Sequence, residues 1–369
     1  MKKKIFAAML MLALVVAFTT YEWIRVPASA PAASLEQTKF NLGHLNSTAH
    51  LLAFVAAEEG FFNEESLNVI LTQFASASDL AAGLTTGKLD AAFIGSVPVI
   101  AFQSQGQPLT IFGGAMTNGH GYVVKQKFVE GLSDDEIDIS VLKGLRVATT
   151  KPSVQDLELQ ILLTNAGLTY STEKGKADVT IVYFDSQKDA YNAILSAEID
   201  AVSVYSPYAS RAISEGYRVI YYCSQEEEFL NQPCCRQVAE SSALTAKPDT
   251  FKAFERALIK AYKFSQESRE KTIDDVAKYI QIDRSLIKTE VYGGYSQSIP
   301  DPDKTAMVAL KSSVVEFGYT KDYDIEPLYN TNVYEAALRS LLKDSPGDKI
   351  YAELLERFEN SNGTAQQRF

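Results

Sequence analysis

Histidine, cysteine and tryptophan are scarce in this chain, with three, three and one among 369 residues. His44, His50 and His120 are its imidazoles, and the spacing of the first two does not place both on one helix face. With no carboxylates at ligand spacing beside them, neither a metal site nor a cofactor is expected. Positive charge is also short: 35 Lys and Arg stand against 46 Asp and Glu, a net charge of -11. Nucleic-acid binding depends on Lys and Arg neutralising phosphates, so that partner is excluded. No cysteine lies near residues 18–31, which argues against a lipoprotein anchor. No run of about twenty apolar residues follows residue 30, so the mature chain is expected to be soluble. Low-complexity tracts are missing too, and 46% apolar with 22% charged residues is the balance of a globular protein.

The first thirty residues have a different character. Lys2, Lys3 and Lys4 precede an uncharged apolar run of fourteen residues, Ile5 to Phe18, and Ala28-Ser29-Ala30 has the small-x-small form of a cleavage site. Fourteen residues span about 21 Å as a helix, short of the roughly 30 Å hydrocarbon core. Residues 1–30 are therefore expected to be a signal peptide, and the protein to be periplasmic or otherwise extracytoplasmic. That segment carries four basic residues and one acidic residue, so its removal leaves -14.

The remainder alternates strand and helix signals, which argues for α/β architecture with parallel pairing. Ser76-x-x-Asp79 and Ser186-x-x-Asp189 have the form of capping boxes opening helices. Asn46-Ser47-Thr48 supplies good N-cap types, and Pro98 and Pro207 suit first helical turns. Apolar spacing predicts mostly helix after Pro248, over about 249–268, 271–281, 303–317 and 332–343. One stretch is echoed 110 positions later. Gly87-Lys88-Leu89-Asp90-Ala91 leads to Ser96-Val97-Pro98, and Ala197-Glu198-Ile199-Asp200-Ala201 leads to Ser206-Pro207-Tyr208. Two similar lobes are expected, with a cleft between Ser96 and Ser206, because ligands bind beyond the carboxyl ends of parallel strands.

Gly43 to Phe62 (GHLNSTAHLLAFVAAEEGFF), Leu84 to Pro98, Leu142 to Thr150 (LKGLRVATT) and Asp200 to Tyr208 resemble the nitrate, taurine and aliphatic-sulfonate group of ABC-importer binding proteins. That group also includes binders of a thiamine-pyrimidine precursor. The similarity spans about residues 38–265. It implies the type II periplasmic-binding fold: two lobes with mixed sheets, a hinge of two crossing segments and extra C-terminal helices. Lobe 1 would comprise 36–120 and 238–369, and lobe 2 would comprise 121–237. It also implies a monomer that captures a small molecule without transforming it and presents it to permease and ATPase subunits. The candidate ligand classes are sulfonates, carboxylates and pyrimidine-like heterocycles. Rival readings are a pyrimidine- or cofactor-biosynthesis enzyme on the same fold, or a periplasmic sensory module. A related group of pyrimidine synthases carries a run of cysteines that Cys234-Cys235-Arg236 matches only in part.

The expected ligand contacts are Asn46, Ser47 and Thr48 on the first strand-to-helix loop and Gly95, Ser96 and Val97 at the echoed corner. Asn118 and His120 stand at the crossing between lobes, where Gly119 and Gly121 would let the chain bend. Thr150, Ser153 and Gln155 match the group's polar loop, Tyr205 and Tyr208 would stack on a planar ligand, and Arg236 would grip an anion in bidentate fashion. Cys223 is open to pairing with Cys234 or Cys235, which would close a loop of about ten residues and stabilise by perhaps 2–3 kcal/mol. A reactive thiol is not expected, since no neighbouring base is evident from the sequence.

Overall fold

The computed structural model describes residues 37–362, so the expected signal peptide lies outside the described residues. Within them the short apolar runs become strands, and the serines that follow become helix caps. Ser76, Ser153 and Ser186 each accept the backbone N–H three residues on, from Asp79, Asp156 and Asp189, and open helices Ala77–Thr85, Val154–Asn165 and Gln187–Leu195. Each cap satisfies an otherwise orphaned donor, and the Asp in the first turn complements the helix dipole.

The strands are β1 (Thr38–His44), β2 (Leu67–Gln73), β3 (Ala91–Gly95), β4 (Leu109–Asn118), β5 (His120–Val124), β6 (Arg146–Thr150), β7 (Tyr170–Ser171), β8 (Val179–Phe184), β9 (Ala201–Tyr205), β10 (Arg218–Tyr222), β11 (Pro233–Glu240) and β12 (Ser296–Ser298). They form two six-stranded sheets, ordered β12-β4-β11-β3-β1-β2 and β10-β5-β9-β6-β8-β7. Both are mixed. In each, a strand opening with Asp-Ala pairs parallel on one side (β3 with β1, β9 with β6) and antiparallel on the other (β3 with β11, β9 with β5). The echoed aspartates explain the shared register. Asp90 accepts the N–H of Asn41, in the middle of β1, at 2.9 Å, and Asp200 accepts that of Arg146, at the start of β6, at 3.2 Å, so each aspartate ties its strand to the parallel neighbour.

The helix Pro248–Glu267 lays Phe251, Phe254, Ala257 and Leu258 on the first sheet, where Phe40 stacks on Phe254 with centroids 4.7 Å apart. Helices Arg269–Ala277, Lys304–Glu316 and Asn332–Asp344 also follow the sequence reading, with ends shifted by a few residues. Two further helices, Arg284–Tyr292 and Lys349–Ser361, were not anticipated. The first buries only Ile287 and Glu290, too little to leave a periodic signal, whereas the second carries one in Tyr351, Leu354 and Phe358.

The chain passes from the first sheet to the second at Asn118–Gly119, both in the left-handed region with φ of 55° and 88°. It returns between Tyr222 and Pro233. The two passages are bonded together: the Asn118 side-chain amide donates to the Phe229 carbonyl at 2.6 Å, and its backbone N–H donates to that of Gln232 at 2.8 Å. Residues 233–237, expected in lobe 2, instead lie in β11, paired with β3 and β4 of the first sheet. The disulfide that the sequence left open is not formed. All three cysteines are free and buried: Cys223 sits against the Tyr122 hydroxyl at 3.9 Å, while Cys234 and Cys235 face each other with Sγ atoms 3.3 Å apart.

Candidate functional site

Five helix starts converge on one cleft. Ser47, Ser76, Gly95, Ser153 and Ser186 stand at the N-termini of five helical segments, and all five line a cavity of about 100 Å³ with residues from both sheets. A water needs roughly 10–15 Å³ on this measure, so the cavity admits a compact solute of a few heavy atoms. Helix N-termini carry unpaired first-turn N–H groups and the positive ends of the helix dipoles, so a lining built from them favours negative charge. The two lining side chains of opposite charge are Lys151 and Asp185. The Lys151 ammonium lies over the Tyr319 ring, 4.6 Å from its centroid.

Of the residues singled out in the sequence, Ser47, Gly95, His120, Thr150, Ser153, Gln155 and Tyr205 line this cavity. The Gln155 amide bridges the two helix starts of the second sheet, donating to Gln187 at 3.1 Å and to Thr150 at 3.3 Å. The others have different work. Thr48 bonds through its hydroxyl to that of Ser206, and Asn46 bonds to the Tyr208 hydroxyl, so both join the first lobe to the second. Tyr208 packs against Tyr191 and Tyr205 at 5.1 and 5.6 Å. Ser96 and Val97 are fully buried, and Asn118 ties the two crossings.

Arg236 lies outside the cavity wall. It is 0% exposed and its guanidinium donates to the carbonyls of Pro302 and Cys235, both at 2.9 Å, and of Met116 at 3.3 Å. Those bonds hold the C-terminal segment to the first sheet, and this replaces the expected grip on a ligand anion.

Sequence reasoning missed His50, Lys151, Asp185, Gln187 and the thiol pair as members of one wall. The Ser-x-x-Asp motifs were a signal for two of the helix starts, read only as caps. His50 is buried and stacks on Phe93 at 5.0 Å. Its Nδ1 lies 3.2 Å from the Leu45 N–H and 3.3 Å from the Leu45 carbonyl oxygen. His44 is kept neutral, since burial pushes its pKa down to about 4 against a bond from Nδ1 to the Leu45 carbonyl. His120 faces Glu158 at 2.9 Å, both fully buried; burial favours the neutral ring, but the carboxylate prevails and raises the imidazole pKa. Among the described residues no group of three or more His, Cys, Asp or Glu side chains is arranged to hold a metal ion.

Known proteins resemble this arrangement. YtlA of Bacillus subtilis strain 168, provisionally named as a binding protein, is 24% identical over 255 residues, 68% of this chain and 73% of its own length. Among solved structures, the periplasmic nitrate-binding protein NrtA of Synechocystis PCC 6803 superposes with a TM-score of 0.70 at 16% identity, covering 83% of this chain and 89% of NrtA. The alkanesulfonate-binding protein SsuA of Xanthomonas axonopodis pv. citri, solved bound to MOPS, gives 0.64 at 17% identity, covering 77% and 93%. Residues 33–281 match the NMT1-like family. The chain therefore belongs to the NMT1-like family and has the α/β fold of the periplasmic binding proteins.

Proposed function

We propose that this protein is an extracytoplasmic solute-binding protein. It captures a small organic molecule or anion (a sulfonate, a carboxylate or a pyrimidine-like heterocycle) between its two lobes and hands it to the permease of an ABC importer. The observation that carries this reading is the convergence of five helix N-termini from both sheets on one small cavity. Such a site recognises a solute with preformed backbone donors, and a solute held from both sides favours closure of the lobes. The names of YtlA, SsuA and NrtA support the same reading. A small anionic or polar group at the helix starts, with Tyr205, Pro98 and Phe102 against its apolar part, fits the lining.

A thermal-shift screen across the three ligand classes tests this. A ligand at a hundred times its Kd stabilises the folded state by about 2.7 kcal/mol. A hit should be followed by calorimetry giving one site per chain and by recovery of the ligand unchanged. Turnover of the ligand, or no stabilisation by any member of the three classes, would remove the reading.

A further inference from the structure

One cation of the cleft is held by aromatic rings although a carboxylate stands beside it in the fold. Thr150 and Phe184 are register partners on β6 and β8. The next residues, Lys151 and Asp185, therefore leave neighbouring parallel strands side by side, and both line the cavity. Such a pair would ordinarily meet as a surface ion pair. Here the Lys151 ammonium forms no ion pair with a carboxylate of the described residues. It lies over two rings instead, 4.6 Å from the centroid of Tyr319 and 5.3 Å from that of Tyr183. At exposed sites an ion pair and a cation–π contact are of similar strength, so two rings can outweigh one carboxylate.

Tyr319 is itself fixed. Its hydroxyl donates to Asp156 and accepts from the Gln160 amide at 2.8 Å, both on the helix Val154–Asn165. Asp156, which also feels the Lys151 charge, is thereby occupied by that hydroxyl and by the Gln160 amide. Four residues on, Tyr323 donates to Gln103 at 2.9 Å, on the helix Ser96–Ser104. The segment 319–323 thus ties two helices from different lobes, and Ser153 and Gly95, at the starts of those helices, line the cavity.

We propose that Lys151 selects an anionic solute by pairing with its acid group, and that Tyr319 is the positioning residue that keeps the ammonium away from Asp185 and free for that contact. The inference rests on the reading of the cleft as a solute site and narrows it to acids. Helix starts offer N–H groups and partial positive charge, which a neutral polar group can also use. Lys151 adds a full charge that only an anion neutralises. Tyr319 lies beyond residues 33–281, so the device belongs to the C-terminal segment and not to the family-matched part of the chain.

Calorimetry with two pairs of compact probes tests this. Ethanesulfonate is compared with ethyl methyl sulfone, and propionate with propionamide, each acid against a neutral molecule of nearly the same shape. The parent protein should prefer the acid. Lys151→Gln should weaken acid binding by about ten- to a hundredfold, the loss of one hydrogen bond to a charged group, and leave the neutral partner unchanged. Lys151→Arg, which keeps the charge and also stacks on rings, should retain most of the preference. Tyr319→Phe should retain it as well, whereas Tyr319→Leu should lower it. Adding Asp185→Asn to Tyr319→Leu should bring it back. In the Lys151→Gln background, Tyr319→Leu should take away no further preference. A merely structural role for Tyr319 would move acid and neutral affinities together and leave their ratio alone. Melting curves of each variant establish that it is folded.

An unchanged acid-to-neutral ratio in Lys151→Gln, or equal affinity of the parent for both members of each pair, overturns the inference and leaves solute capture standing. An unchanged ratio in Tyr319→Leu overturns the positioning role. Failure of both acids to bind overturns the inference whatever the solute screen finds, and only an empty screen overturns solute capture with it.

Discussion

The Ser47 hydroxyl donates to the carbonyl of Ser206 at 3.0 Å, from the first strand-to-helix corner of one lobe to the echoed corner of the other. Beside it the hydroxyls of Thr48 and Ser206 are bonded, and nearby the Ser210 N–H donates to Glu290 at 2.8 Å. Direct bonds thus join the two lobes, and Ser47 among them also lines the cavity.

Removing one of these bonds should loosen closure without harming either lobe. Thr48→Val keeps the volume and leaves the buried Ser206 hydroxyl without its partner, a penalty of about 1–3 kcal/mol on the closed form. The radius of gyration from small-angle scattering should rise relative to the parent protein. An unchanged radius and unchanged affinity for an identified ligand would show that Thr48 is not part of the clasp.

A second clasp is titratable. The Tyr319 hydroxyl donates to Asp156, and the Gln160 amide donates to that hydroxyl at 2.8 Å, joining the segment after Lys304–Glu316 to the helix Val154–Asn165. Burial raises the Asp156 pKa to about 6 from an ordinary 3.8, against the Tyr319 bond that lowers it. The folded state therefore prefers the protonated acid. The stability this contributes is fully present below about pH 4 and lost as pH rises through 6, on the order of 2–3 kcal/mol. Asp156→Asn should melt no lower than the parent at pH 7 and should flatten the pH dependence of Tm between pH 4 and 6. Parallel pH profiles for the two proteins would contradict this.

Gly114 is where the C-terminal segment meets the first sheet. Its N–H donates to the Pro300 carbonyl at 2.7 Å, and a Cβ there would stand 2.0 Å from the Asp301 carbonyl oxygen. The obstruction is backbone and cannot swing aside. Gly114→Ala should cost about 1–3 kcal/mol or more, measured by denaturant unfolding. A midpoint within error of the parent would mean that the segment after β12 docks more loosely than the structure shows.

The thiol inventory offers a simple check on the cysteines. Denatured, unreduced protein should titrate three thiols, and a reductant should leave Tm unchanged, because Cys223 is packed near Tyr122 and away from any sulfur partner. A count of one would restore the disulfide that the clustering of the cysteines left open.

Much of this was legible in the chain because its causes are local. A serine three residues before an aspartate can cap a helix through bonds that span a single turn, and Ser76 and Ser186 do so here as read. The echo of Asp90-Ala91 in Asp200-Ala201 was legible too, since each aspartate bonds to a backbone N–H of the neighbouring parallel strand within its own α/β unit. β11 was not legible. It places Arg236 in the middle of a buried strand, which only becomes affordable when the carbonyls of Met116 and Pro302 close around the guanidinium.

The sequence by itself determined the alternation of strands and helices, the two-lobed plan and the caps that open the helices, because periodicity and capping act over a few residues. Tertiary structure alone decided the rest. It turned Tyr208 and Thr48 into fastenings between lobes, bound Arg236 to backbone carbonyls, set Glu158 against His120, and brought His50, His120, Cys234 and Cys235 to one cavity wall. Those outcomes depend on which distant groups become neighbours once the strands are ordered, and on the loss of water that lets one buried charge govern another.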